Sequence, residues 1–181
     1  GKIRVSKTNH VYLDSLNLNN SKNVKINISG DLSERILNLS IYGEMIDLSM
    51  NKISTNKKIK EYYLSKENYK IKTDKAIFAG GVKVDDFKAG ISKQGELLSV
   101  NSRANINNHT LDYSREKDEK ADVNLISSSD ITHFVHNNHP VKKLLSDGEL
   151  KMKSIRDLST MDARVDIDLK DFVLINSPAS L

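Results

Sequence analysis

The residues of this 181-residue chain with the most chemical capacity are three histidines, His133, His136 and His139, and two carboxylate pairs, Asp85 with Asp86 and Asp166 with Asp168. Histidines three apart share one helix face, as a pair of zinc ligands must. Pro140 ends such a helix before His139 can join the other two, and no carboxylate stands at the spacing that would supply a general base. Ordinary surface histidines, and no metal, are the expectation. Asp166 and Asp168 alternate with Val165, Ile167 and Leu169, which on a strand makes them an outward polar row rather than an acid and base pair. Asp85-Asp86 interrupts an apolar alternation and marks an irregularity. Asp47 reads as a cap where a strand ends, not as a catalytic acid.

Other chemistry has no starting point. The chain has no cysteine, which removes disulfides, thiol nucleophiles and cysteine metal knuckles. It has no Gly-x-Ser-x-Gly elbow and no phosphate-cradling glycine loop. No enzyme and no cofactor are expected. The 28 basic residues are interspersed with 24 acidic ones, for a net charge of +4. A nucleic-acid binder clusters its cations and interleaves aromatics, so no nucleic-acid partner is expected, while a weak attraction to anionic headgroups remains open.

The elements that carry these residues are strands. Hydrophobic content of 38% is low for a thick core and suits an open or one-sided sheet. Period-2 alternation dominates. Val24, Ile26 and Ile28 share one side of a strand expected to end at Ser29-Gly30-Asp31, with the loop running to Glu34. Leu37, Leu39 and Ile41 repeat the pattern up to Gly43, after which Met45, Ile46, Leu48 and Met50 shift toward an amphipathic turn. Alternation resumes at Tyr69, Ile71 and Thr73, and continues through Val82, Val84, Phe87, Ala89 and Ile91, then Leu98 and Val100, then Leu111 and Tyr113. Arg115 to Lys120 reads as a solvated hairpin tip, followed by Ala121, Val123 and Leu125. Turn signals about ten residues apart predict an antiparallel meander. Between Ser128 and Ser146 the period changes: Ser128-Ser-Asp130 caps a short helix bearing Ile131, Phe134 and Val135, and Pro140 opens a second turn bearing Val141, Leu144 and Leu145.

The order Ser129-Asp130, then Asp147-Gly148-Glu149-Leu150, then Asp171-Phe172-Val173-Leu174-Ile175-Asn176-Ser177-Pro178, together with Gly43-Glu-Met-Ile-Asp47-Leu, resembles the C-terminal region of the AsmA-like (YhdP-like) envelope proteins of Gram-negative bacteria. The chain departs from that pattern in having Ile131 where a glycine is expected and in lacking the terminal helix. The resemblance covers the chain from about Gly43, most sharply from Ala121. It implies a curved antiparallel amphipathic sheet, an open β-groove with one or two short helices, forming a single segment of a larger sheet. Within it, 1–58 holds the first strands and exit turn, 59–127 the meander, 128–146 the helical interruption and 147–181 the final strands, truncated.

No run of about 18 apolar residues is present and the first eight residues lack the apolar stretch of a signal peptide. Both ends look cut, so the expectation is a periplasmic fragment of a longer, inner-membrane-anchored chain. The function the resemblance implies is non-enzymatic: an apolar groove that binds or transfers phospholipid between inner and outer membranes, with acyl chains and the rest of the parent chain as partners. Val82, Val84, Ile91, Val123, Leu125, Val165, Ile167 and Leu169 are the expected wall residues. The alternative is a structural or interaction module with no ligand of its own.

Overall fold

A computed structural model describes residues 1–6, 10–20, 24–49, 64–78, 81–130, 132 and 145–174. The strands are β1 (Lys2–Val5), β2 (Val11–Asn20), β3 (Val24–Ser33), β4 (Ile36–Asp47), β5 (Lys66–Ile77), β6 (Lys83–Gln94), β7 (Leu97–Ile106), β8 (His109–Lys117), β9 (Ala121–Ser128), β10 (Leu145–Ser146), β11 (Glu149–Asp157), β12 (Ala163–Lys170) and β13 (Val173–Leu174). Eleven of them form one open sheet in chain order, β1 to β9, then β11 and β12, while β10 pairs with β13. The expected curved, mainly antiparallel amphipathic sheet is therefore the fold. Its one parallel pair, β4 with β5, departs from a pure meander, since parallel neighbours cannot be joined by a hairpin.

Several strand ends differ from the sequence reading. Gly30 and Gly43 lie inside β3 and β4, opposite Leu39 and Ile26. The β3–β4 turn is Glu34-Arg35, with φ of 48° and 66°. Two consecutive positive φ values are those of a type I′ hairpin, whose twist matches its strands; here it is built without glycine. Asn107-Asn108 repeats the device between β7 and β8, with φ of 49° and 69°. The charged hairpin tip is shorter than expected, because β8 runs to Lys117 and Asp118 closes the turn by accepting the N–H groups of Lys120 and Ala121. Val82 precedes β6, in a turn where its carbonyl accepts the Phe78 N–H. Among the described residues there is no α-helix, nor any helix long and apolar enough to cross a membrane. The expected helices over Ser128–Ser146 fall mostly on residues outside the described set, as do His133, His136 and His139. At the start of that stretch the Asp130 carboxylate accepts both the N–H and the hydroxyl of Thr132, as a capping turn would.

The irregularity at Asp85-Asp86 is a bulge: register shifts between Asp85 and Lys88, and Asp86 takes φ of 51°. It belongs to a crease across β4, β5 and β6, the β4 pairing shifting register between Met45 and Gly43. Buried residues on β5 are Thr73 and Ala76, and on β6 Val84 and Phe87, three apart rather than two, while Asp74, Lys75, Asp85 and Asp86 between them are exposed. An extra residue on each strand returns the chain to the same face and bends the sheet. The small core sits at this crease: Ile46, Ala76, Val84, Phe87 and Ala104, closed from outside the strands by Leu48 and Phe78. Phe78 meets Phe87 edge to face, with ring centroids 5.2 Å apart.

Candidate functional site

Register converts the alternation into two continuous faces. One row of directly opposed residues crosses ten strands: Leu16, Ile28, Ile41, Ile71, Ala89, Ser102, Tyr113, Ile126, Met152 and Ile167. Ser102 is its only residue without a hydrophobic body. Directly opposed residues share a face, so this row defines an oily side of the sheet. The neighbouring row starts apolar with Leu13, Leu39, Tyr69, Ile91 and Val100 and turns polar with Arg115, Asn124 and Ser154 before ending at Val165. The next carries Glu67, Lys93, Lys117, Asp122 and Arg156. The oily side thus grades from the closed core at the crease to a charged rim at the other end of the strands.

Among the described residues the sheet has no second layer. It nevertheless borders a cavity of about 790 Å³ that follows the row from Ile71 to Ile167 and includes strand neighbours such as Lys88, Gly90, Arg103, Leu125 and Lys153. A flat single layer encloses no volume, so the sheet curls around this space. The row stays open at the β12 edge, where Ile167 is 61% exposed and Val165 54%.

The charged rim is internally balanced. Arg115 holds Asp122 through two hydrogen bonds of 2.9 and 2.6 Å, which pulls that carboxylate below its ordinary range and pushes the guanidinium higher. Lys117 lies 3.3 Å from Glu96 and Lys93 3.7 Å from Glu67. Tyr113 donates to Asn124 at 2.9 Å, and burial raises its phenol pKa. Tyr69 donates to Glu67 at 2.5 Å; burial first, then that acidic neighbour, push its phenol up to about 12. The opposite face is polar. Asn68 donates to Asn38, which donates to Asp31, and Ser92 donates to Asn68, a ladder running across β3 to β6.

Of the eight wall residues expected from sequence, five fall on the oily side: Val84 in the core, Ile91, Val165 and Ile167 in the rows, and Leu169 two residues beyond Ile167, opposite Leu150. Val123 and Leu125 do not. Val123 opposes Glu116 and Ile155, and Leu125 opposes Ser114 and Lys153, which puts both on the polar face, with Ile126 taking the oily side of β9. Val82, in its turn, is 48% exposed and outside the sheet. Leu16, Ile126 and Met152 lie in the oily row without having been expected there from sequence, and Ile126 and Met152 line the cavity. Met152 stands between two lysines on a strand, and that local alternation is the signal that marks it.

Asp47 ends β4 with its carboxylate accepting the Ser49 N–H and hydroxyl, a local turn and not an acid and base pair. Asp166 and Asp168 are half exposed, beside Arg164 at 2.8 Å and Lys170 at 3.9 Å. Among the described residues no group of three or more histidines or carboxylates is placed to hold a metal ion.

Fold and site together define a class: an open, single-layer amphipathic β-sheet protein with a continuous apolar row along one face. No family model, curated protein or solved structure matches the chain.

Proposed function

We propose that this chain is a lipid-handling segment whose oily side holds phospholipid acyl chains, working in the bacterial envelope as part of a longer membrane-anchored protein of the AsmA-like kind. The observation that carries the reading is the ten-strand row from Leu16 to Ile167, open at one edge and running along a cavity. Each methylene hidden there contributes about 0.8 kcal/mol through non-directional contacts, so a chain is held in aggregate yet free to slide. The grading from apolar row to charged rim matches the polarity of an amphiphile. Catalysis has no part in this reading.

The test is mass spectrometry of lipid that co-purifies with the protein, compared with Ile167→Lys and Met152→Lys variants. Loss of lipid from folded variants supports the proposal; a lipid-free wild-type protein rejects it. A second reading, a structural module continued by other strands, is favoured by the exposed apolar residues on both edges, Ile3 and Val5 on β1 and Val165 and Ile167 on β12. Lysines at Ile3 and Val5 on the β1 edge would abolish partner association under that reading, which also predicts no co-purified lipid in the wild-type protein.

A further inference from the structure

The polar face carries an arrangement the lipid reading does not use. Lys72 on β5 directly opposes Lys88 on β6, and Lys88 directly opposes Arg103 on β7. The adjacent row on the same face holds Lys70, Gly90 and Asn101, again directly opposed. Neighbouring strands lie about 4.8 Å apart, and like charges directly across from one another destabilise a sheet. Arg103 has a counter-ion in Asp112 at 2.6 Å. Lys70, Lys72 and Lys88 are exposed and have no ion-pair partner among the described residues. At the centre of the patch, Gly90 leaves room: a β-carbon there would meet no atom within 4 Å.

We propose that the patch formed by Lys70, Lys72, Lys88, Asn101 and Arg103 around Gly90 binds a phosphate group, presented by lipid headgroups at a bilayer surface or free in solution. A phosphate has the negative charge to relieve the repulsion along the row and enough acceptor oxygens for the lysines, the guanidinium and the Asn101 amide together. The glycine supplies the space in which it sits. Repulsion in the unliganded sheet is the stability given up to keep the site. The vesicle arm deepens the lipid reading by naming the headgroup chemistry; the free-phosphate arm stands without it.

The experiment compares thermal unfolding of wild type, Lys88→Gln, Lys72→Gln and Lys88→Arg in inorganic phosphate and in sodium chloride of equal ionic strength, with sedimentation on phosphatidylglycerol and on phosphatidylcholine vesicles. Wild type gains Tm in phosphate beyond the chloride control. The two glutamine variants start from a higher Tm in low-salt buffer and lose the phosphate-specific gain, and Lys88→Arg keeps it. Binding to phosphatidylglycerol vesicles alone, with Lys88→Gln failing to bind, identifies headgroups as the source; a response to phosphate alone identifies the free anion. Equal Tm gains in phosphate and chloride together with no vesicle binding would overturn the proposal, as would glutamine variants that respond like wild type. Ile167→Lys separates this from the acyl-chain reading, because it removes co-purified lipid while the phosphate response persists.

Discussion

Three in-strand glycines, given the same substitution, are expected to respond with opposite signs. A β-carbon at Gly43 would lie 2.1 Å from the Lys25 carbonyl oxygen and 2.7 Å from the Ile26 α-carbon. At Gly30 it would lie 2.1 Å from the Asn38 carbonyl oxygen and 2.7 Å from a Leu39 methyl. These obstacles are mainly backbone, so β3 and β4 must move apart to admit a methyl group. Overpacking of this kind costs about 1–3 kcal/mol, and each ladder hydrogen bond stretched adds about 1 kcal/mol. At Gly90 nothing stands in the way, and alanine recovers about 0.5–1 kcal/mol by restricting the unfolded chain. The predicted separation between Gly43→Ala and Gly90→Ala is therefore about 2–4 kcal/mol, or on the order of 10 °C in Tm for a chain of this length. Urea titration followed by far-ultraviolet circular dichroism reads it as a lowered midpoint for the first and a raised one for the second. A Gly43→Ala midpoint equal to wild type would refute the close approach of β3 and β4, and a Gly90→Ala midpoint lowered as far as that of Gly43→Ala would refute the open space beside Gly90.

Three further outcomes follow from individual side chains. The Thr73 hydroxyl is buried without a hydrogen-bond partner, so Thr73→Val is expected to stabilise the fold by about 1 kcal/mol, read as a rise in the urea midpoint. Because the folded-state phenol of Tyr69 is raised from 10.0 to about 12, its contribution is complete below pH 10 and lost as pH rises toward 12; Tyr69→Phe should flatten that alkaline loss in pH-dependent unfolding. Asp122 is depressed from 3.8 by Arg115, so its contribution is complete above that value and lost as pH falls below it, and Asp122→Asn should lower stability at neutral pH while weakening the acid dependence.

Much of the architecture was legible because a half-buried strand writes its two faces into alternate residues. The segments Val24 to Ile28, Leu37 to Ile41 and Tyr69 to Thr73 are strands as read, and the Asp85-Asp86 interruption is the bulge that creases the sheet. Glycine misled the reading twice. Gly30 and Gly43 look like strand ends, yet they serve close strand approach, and the turn nearby is made by Glu34-Arg35, whose positive φ values no local residue preference announces. Parity was the harder problem. In β9 apolar residues occupy both phases, Val123 and Leu125 in one and Ile126 in the other, and only pairing with Tyr113 and Met152 decides which phase joins the oily row. The cation row was hidden for the same reason: Lys72, Lys88 and Arg103 are far apart in sequence and become neighbours only through register.

The central claim, that one face of this sheet receives acyl chains, is tested most directly by placing a photo-crosslinking side chain at Ile126 and, separately, at its neighbour Leu125, then irradiating the protein with phospholipid carrying a radiolabelled acyl chain. The two positions differ by a single residue and point to opposite faces. Label attached at position 126 and absent at 125 is the predicted result. Equal labelling at both positions, or labelling at neither, would contradict the account.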